Sequence, residues 1–296
     1  MERAAARVTP APGRLRESLE MIKFAHTIFA LPFALLAFFR ASEGAVSLRT
    51  LLWVVAAMVG ARTAAMTFNR IADRAIDADN PRTATRALPA GRLPLGFAAG
   101  LCAGASLLFF LSAWELNALA FALAFPTLAV LFGYSFTKRF TALSHLVLGL
   151  CLGIAPVGAW VAVRGRIEWA PVALGLAVLF WTGGFDVLYA LQDEKFDRAR
   201  GLRSLPASLG TKGALVVSAL FHAVTLAFLV LFARSVRGGL LMSIAIAVAA
   251  AALVVQHAIV RPGDLSRLNA AFFTANGILS VAFGLLGIAD LWFLRG

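Results

Sequence analysis

Charge is the scarcest thing in this chain. Only 14% of its 296 residues are Asp, Glu, Lys or Arg, where a soluble domain carries about 25%. That shortage excludes a water-facing surface wrapped around an ordinary core. Cysteine and histidine are sparse too. The two cysteines, Cys102 and Cys151, sit inside apolar runs without metal-ligand spacing, so they read as small inert hydrophobes. The four histidines are scattered along the sequence and suggest no ligand cluster. Acidic residues are the rarer sign, 15 against 27 Lys and Arg, yet no basic domain collects the excess. It is spread over short loops between apolar stretches. That pattern argues against nucleic acid as a partner. It suits orientation in a bilayer and contact with membrane lipid headgroups or phosphates.

What the chain does have is apolar sequence, 60% of the total. The runs are unbroken, without the alternation that a membrane β-barrel requires, so the expected fold is an all-α membrane protein. We expect nine spans, at roughly 23–40, 50–68, 94–113, 116–133, 144–163, 169–190, 213–233, 239–260 and 269–293. Each is near the ~20 residues that cross the hydrocarbon. They would form one bundle around a central cavity, capped by loops, over residues 23–296. Residues 1–22 are a basic lead that is expected to turn amphipathic from about Leu15 and not to be cleaved.

Loop charge orients the bundle. With a cytoplasmic N-terminus, the cytoplasmic segments carry 19 Lys and Arg and the opposite segments seven, with Arg62 inside a span. This bias predicts a multi-pass protein of the cytoplasmic (inner) membrane with its N-terminus in the cytoplasm.

The polar residues are concentrated in two stretches on that same side. In the first, Asn69, Asp73 and Asp77 are spaced by four, which on a continuous helix stacks them on one face. Two carboxylates and an amide make an oxygen-rich site suited to a hard cation such as Mg²⁺. Arg74, Arg82, Arg86 and Arg92 follow, and guanidinium groups suit phosphate. In the second stretch Asp193 and Asp197 are again four apart, with Asp186 seven before Asp193 and near the same helical face. Both stretches run into basic loops that share a phrase, Arg86-Ala-Leu-Pro-Ala and Arg203-Ser-Leu-Pro-Ala. This hints at two half-repeats, about 23–143 and 144–296. Glu115 and Asp290 fall at the opposite side and read as interfacial.

These motifs carry a resemblance. Arg62, Ala64, Asn69, Asp73 and Asp77, followed by Arg82-Thr83, Arg86, Pro89 and Gly91, resemble the first signature of the UbiA superfamily of intramembrane prenyltransferases. Asp186, Tyr189, Ala190, Asp193 and Asp197, followed by Gly201 and Ser204, resemble its second. Tyr134-Ser135 and Lys138-Arg139 resemble the family's middle loop. The segments MIKFAHTIFALPF and FDVLYALQDEKFD are most similar to the 4-hydroxybenzoate polyprenyltransferase group, including a branch tied to menaquinone made through futalosine.

The resemblance implies transfer of a polyprenyl group from polyprenyl diphosphate to an aromatic acid acceptor, 4-hydroxybenzoate or a dihydroxynaphthoate. It implies Mg²⁺ held by Asn69, Asp73, Asp77, Asp193 and Asp197. Lys138 and Arg139, with Arg82 and Arg86, would bind the diphosphate. Asp73, Asp193, Lys138, Arg139 and Tyr189 would form the catalytic set, and Tyr134, Asp186 and Ser204 would contribute to substrate binding. Arg62 has two readings. It lies seven residues before Asn69 and eleven before Asp73, so it points along the same face. There it would anchor the acceptor's carboxylate or brace a motif aspartate.

Two other classes fit less well. A secondary transporter would hold its ionisable groups near mid-membrane, whereas these sit at span ends. A CDP-alcohol phosphotransferase would carry D-G-x-x-A-R…G-x-x-x-D-x-x-x-D, which is absent.

Overall fold

The computed structural model describes residues 17–18, 21, 29–261 and 264–293. Most of the basic lead, and the first part of the first expected span, lie outside the described residues. The chain builds a helical bundle: α1 (Leu31–Ser42), α2 (Leu48–Ala72), a short α3 (Arg74–Asp79), α4 (Leu95–Leu116), α5 (Ala118–Thr137), α6 (Ser144–Arg164) and α7 (Trp169–Ala190). A 3₁₀ turn (Leu191–Asp193) leads into a short α8 (Glu194–Ala199), then α9 (Leu205–Ser235) and α10 (Leu240–Ile259). A π-helical turn, Ala271–Ala275, precedes α11 (Asn276–Phe293).

Among the described residues, eight helices are long and apolar enough to cross a membrane, and α1 is a shorter apolar one. Eight of the nine expected spans therefore appear at full length; the first is represented by the twelve residues of α1. The expected start of the seventh span, at 213, has a visible cause. Gly210 breaks α9 with φ +68°, a left-handed conformation that only glycine adopts cheaply, and the membrane-crossing part follows it.

Helix α7 is the centre of the bundle. Two-thirds of its most apolar window is buried, 67% against 22–44% in the other spans. It reaches α6 through small residues. A Cβ on Gly149 would meet the Leu179 carbonyl oxygen at 2.1 Å, and one on Gly153 would meet that of Gly175 at 2.5 Å. Lipid offers no hydrophobic drive between helices, so close backbone approach and dispersion hold such pairs together. On the other side α1 packs against α6 and α11. Phe33, Trp181, Phe185 and Phe283 fill the space between α1, α7 and α11, and Trp181 Nε1 donates to Asn276 Oδ1 at 2.9 Å.

Three expectations need correction. Asp290 is not interfacial: it is 2% exposed and accepts a 2.6 Å bond from the buried Arg40. Asp290 also accepts from the backbone N–H groups of Gly239 and Met242, so it satisfies orphan amides at the start of α10. Arg62 is not alone among basic residues within a span, because Arg40 lies on α1 and Arg70 on α2, both buried. The histidines are not all scattered either. His222 on α9 and His257 on α10 share a 2.8 Å hydrogen bond, invisible in a sequence that separates them by 35 positions. Glu115 does keep the surface place expected of it, paired with the exposed Arg49 at 2.7 Å.

The Arg40–Asp290 pair yields a stability prediction. Removing one partner of a buried pair strands the other charge, at a cost of roughly 3–5 kcal/mol. Arg40→Met is expected to lower the thermal midpoint in detergent, and the double variant Arg40→Met/Asp290→Asn to recover part of the loss. A midpoint unchanged in Arg40→Met would show that the pair does not hold the far end of the bundle.

Candidate active site

The two acidic stretches meet at one end of the bundle. Neither forms the single straight helix that four-residue spacing suggests. Helix α2 ends at Ala72, and Asp73 leaves helical geometry at φ −95°, ψ 4°. Asp193 does the same at φ −99°, ψ 1°. Each is followed by a six-residue helix, α3 or α8, and each of these short helices carries the second aspartate of its pair on its buried side. Asp77 is 7% exposed and Asp197 3%. The break interrupts each helix at the first aspartate of its pair, and Asp193 meets the opposing loop through Arg82.

What joins the halves is guanidinium to carboxylate. Arg82 reaches across from the first loop and binds Asp193 through two bonds, Nε–Oδ1 at 2.9 Å and Nη2–Oδ2 at 2.5 Å. The Asn80 amide donates to the same carboxylate at 3.4 Å, and Arg200 pairs with Asp79 in the reverse direction. Within the first half, Arg86 grips both oxygens of Asp77 at 2.7 Å and Arg70 stands 4.0 Å away. Lys138 Nζ lies 3.8 Å from Asp197, and Arg139 lies 3.6 Å from Asp73. Asn69 donates to Asp73 at 2.9 Å. Burial raises the Asp73 carboxyl above its ordinary value and the charge of Asp77 adds to that; Arg139 and Asn69 pull the other way.

Of the four arginines in the first loop, only Arg82 and Arg86 engage the aspartates. Arg74 is exposed and Arg92 pairs with Glu17 at 2.6 Å. Tyr189 stacks on Phe272, centroids 4.3 Å apart, with the Arg82 guanidinium 5.9 Å above its ring. Ser204 is fully buried and its hydroxyl caps α9 by accepting from Ala207 N at 3.3 Å. That bond uses one lone pair of the hydroxyl, whose hydrogen stays available. Asp186 stays on α7 and turns to His145, Nδ1 to Oδ2 at 2.7 Å.

Below this charged lid lies a cavity of about 560 Å³. It runs along α5 from Tyr134 to Ala120, roughly 20 Å at 1.5 Å per residue. Its walls come from α2, α4, α5, α6 and α7. Apart from Arg62, Asn69, Thr127, Tyr134 and Cys151 its lining is apolar. Arg62 and Asn69 share this cavity, as their spacing on α2 predicts.

Among the described residues no three His, Cys, Asp or Glu side chains converge into a ready cation cage. The donor types nevertheless suit a hard cation, four carboxylates and an amide in loops that Arg82 joins. Asp197 Oδ2 is buried and accepts no hydrogen bond among the described residues, with the Lys138 ammonium standing off at 3.8 Å, so the oxygen keeps lone pairs for a cation. The arrangement sets paired carboxylates and guanidinium groups over an elongated, largely apolar chamber.

Comparison with known proteins gives a consistent picture. The family model described as the UbiA prenyltransferase family matches residues 30–278. A 4-hydroxybenzoate octaprenyltransferase from Vibrio campbellii (strain ATCC BAA-1116) is 32% identical over 247 residues, 83% of this chain and 87% of that protein. One from Nitrosomonas europaea (strain ATCC 19718) is 33% identical over 222 residues, 75% of this chain and 76% of that protein. Among solved structures, the apo structure of a UbiA homolog from Aeropyrum pernix K1 has a TM-score of 0.78 at 34% identity, covering 92% of this chain and 98% of that one. A UbiA homolog from Archaeoglobus fulgidus bound to GPP and Mg²⁺ has a TM-score of 0.74 at 19% identity, covering 93% and 99%; at that identity the likeness speaks to fold alone.

Proposed function

The chain belongs to the UbiA prenyltransferase family, and from that premise we propose that it transfers a polyprenyl group from polyprenyl diphosphate to a phenolic aromatic acid, in the presence of Mg²⁺. One observation carries the reading: two aspartate motifs, cross-linked by arginine, close over an apolar cavity with a guanidinium on its wall. A prenyl tail needs the apolar chamber, a diphosphate needs the charged roof, and an aromatic acid needs a cation beside the chamber. The relatives named 4-hydroxybenzoate octaprenyltransferase favour 4-hydroxybenzoate as the acceptor.

In this reading Asn69, Asp73, Asp77, Asp193 and Asp197 hold Mg²⁺, whose charge, when bound, favours departure of the diphosphate. Arg82 and Arg86 already stand among the aspartates and exchange carboxylate for phosphate oxygens; Lys138 and Arg139 add donors from the middle loop. Tyr189 steers Arg82 through the face of its ring. Departure of the diphosphate leaves an allylic cation, which the electron-rich ring carbon of the acceptor attacks; loss of the proton on that carbon to a base then restores the aromatic ring. Water would quench that cation, and the apolar chamber keeps water away. Arg62 takes the acceptor's carboxylate, and Asp186 accepts a hydrogen bond from its phenol hydroxyl. Asp186 continues the stripe of α7 that lines the cavity, seven residues beyond Leu179 and fourteen beyond Val172, all within about 40° of one line. The matched backbone at Asp73 and Asp193 supports the half-repeat reading of 23–143 and 144–296. The excess of loop charge supports a cytoplasmic site and N-terminus in the inner membrane.

The direct test uses purified protein with 4-hydroxybenzoate, a dihydroxynaphthoate, and geranyl and longer diphosphates, followed by product mass. Prenylated acid should form with Mg²⁺, vanish with EDTA and return when Mg²⁺ is restored. Asp73→Ala and Asp193→Ala should each cut the rate by roughly a hundredfold or more while the protein stays folded. A wild-type rate in either variant would sink the metal assignment.

Arg62 has its own test. A charge-assisted bond is worth roughly 1.5–3 kcal/mol, so Arg62→Met should raise KM for the aromatic acid about ten- to a hundredfold and leave diphosphate affinity nearly unchanged. Loss of diphosphate affinity instead would mark Arg62 as a brace for an aspartate. For orientation, a cysteine replacing Arg200 should react with an impermeant thiol reagent only from the cytoplasmic side, and one replacing Arg166 only from the other. The reverse labelling would overturn the topology.

A further inference from the structure

His145 is the second residue of α6 and is fully buried. A buried imidazole has two nitrogens to satisfy, and the partners of each decide where its proton sits. Here the decision comes from the backbone. Nε2 lies 3.3 Å from the amide nitrogen of Leu205. An amide N–H can only donate, so Nε2 is the acceptor. The neutral ring therefore carries its hydrogen on Nδ1 and donates it to Asp186 Oδ2 at 2.7 Å.

Both bonds serve groups that lack other local partners. Leu205 is the first residue of α9, so its N–H is one of the orphan donors of a helix start. The Ser204 hydroxyl satisfies Ala207 and leaves Leu205 to the histidine. The ring is thus clamped between the first turn of α9 and the carboxylate on α7, with its own backbone on α6. It has no freedom to turn away.

The effect falls on Asp186. One carboxylate oxygen is engaged by His145, which fixes the side-chain rotamer, while the group keeps 19% of its side chain exposed. We infer that His145 is a positioning residue for the transfer reaction: it holds Asp186 so that the free oxygen faces the phenol hydroxyl of the acceptor. This rests on the role proposed above for Asp186 and adds to it the residue through which that role is set.

Three variants separate this from a structural role. His145→Asn keeps an N–H donor near the Nδ1 position and loses the acceptor for Leu205. His145→Phe loses both and keeps the ring. The unsatisfied Leu205 amide is common to the two, so their difference reads the Asp186 bond alone. His145→Phe should lower kcat about ten- to a hundredfold, the range typical of an outer partner that orients a working side chain, with KM for the prenyl diphosphate unchanged. His145→Asn should recover most of that loss. In an Asp186→Asn background, His145→Phe should cost little more, because residues acting as one unit are not additive.

Equal impairment of the Asn and Phe variants, or a wild-type kcat in His145→Phe, would overturn the inference. So would a full additive loss in the double variant. If Asp186→Asn itself keeps wild-type kinetics, the role of Asp186 falls and this inference with it; if only the His145 variants are silent, the inference falls alone. His145→Leu reads the same bond should the phenylalanine variant fail to insert.

Discussion

A carboxylate at the edge of a hydrocarbon-filled bundle needs a positive partner close by, and the site is arranged around that need. Arg82 crosses from the first loop to both oxygens of Asp193 in the second. Arg200 of the second loop pairs with Asp79 of the first, and the Asn80 amide donates to Asp193. Together these contacts make the two loops one roof. The other pairs follow the same logic: Arg86 on Asp77, Lys138 near Asp197 and Arg139 near Asp73. Asp73, Asp77, Asp193 and Asp197 each have a cation beside them, and each of those cations is a group that can bind phosphate. In the proposed reading, the pairing that makes the resting site tolerable also stocks it with donors for the diphosphate.

The chamber beneath the roof depends on the opposite kind of residue. Glycine and alanine let α6 lie directly on α7, and a Cβ on Gly60 of α2 would come within 3 Å of the backbone of α4 at Ala105 and Phe109. Close contacts at those lines hold the helices in place. Between the lines the same helices diverge around the cavity, whose volume is in the range of ordinary ligand pockets. Packing and cavity share small residues: Gly153 and Gly175 touch across α6 and α7 and also line the cavity.

Several buried polar groups away from the roof form pairs that pin helix to helix. Arg40 and Asp290 join α1 to α11 and, through the amides of Gly239 and Met242, to α10. His222 and His257 join α9 to α10. His145 belongs to this set by its geometry, since it ties α6 to α9 and α7. It differs in that its partner Asp186 continues, by helical spacing, the stripe of α7 that lines the cavity at Val172 and Leu179. The bland reading of a buried histidine, helix packing, and the functional one are here the same pair of bonds.

Local properties of the chain were legible without coordinates. Apolar run length sets where a helix must cross, because every backbone group in hydrocarbon has to be satisfied inside its own segment. That is why eight of the nine expected spans coincide with full-length helices. Residue chemistry and four-residue spacing marked Asn69, Asp73, Asp77, Asp193 and Asp197 as one class of group, and seven-residue spacing aimed Arg62 into the same space as Asn69. Other things depended on distance between remote segments, which spacing does not encode. These were the break at Asp73 and Asp193 that interrupts the helix of each motif, the choice of Arg82 and Arg86 over Arg74 and Arg92, and the capture of the Ser204 hydroxyl as a helix cap. The partner of Asp290 lies 250 residues away and that of Asp186 lies 41 away. A charge in a membrane takes whichever counter-group the packing of the helices brings within hydrogen-bond reach, and only the assembled bundle decides which one that is.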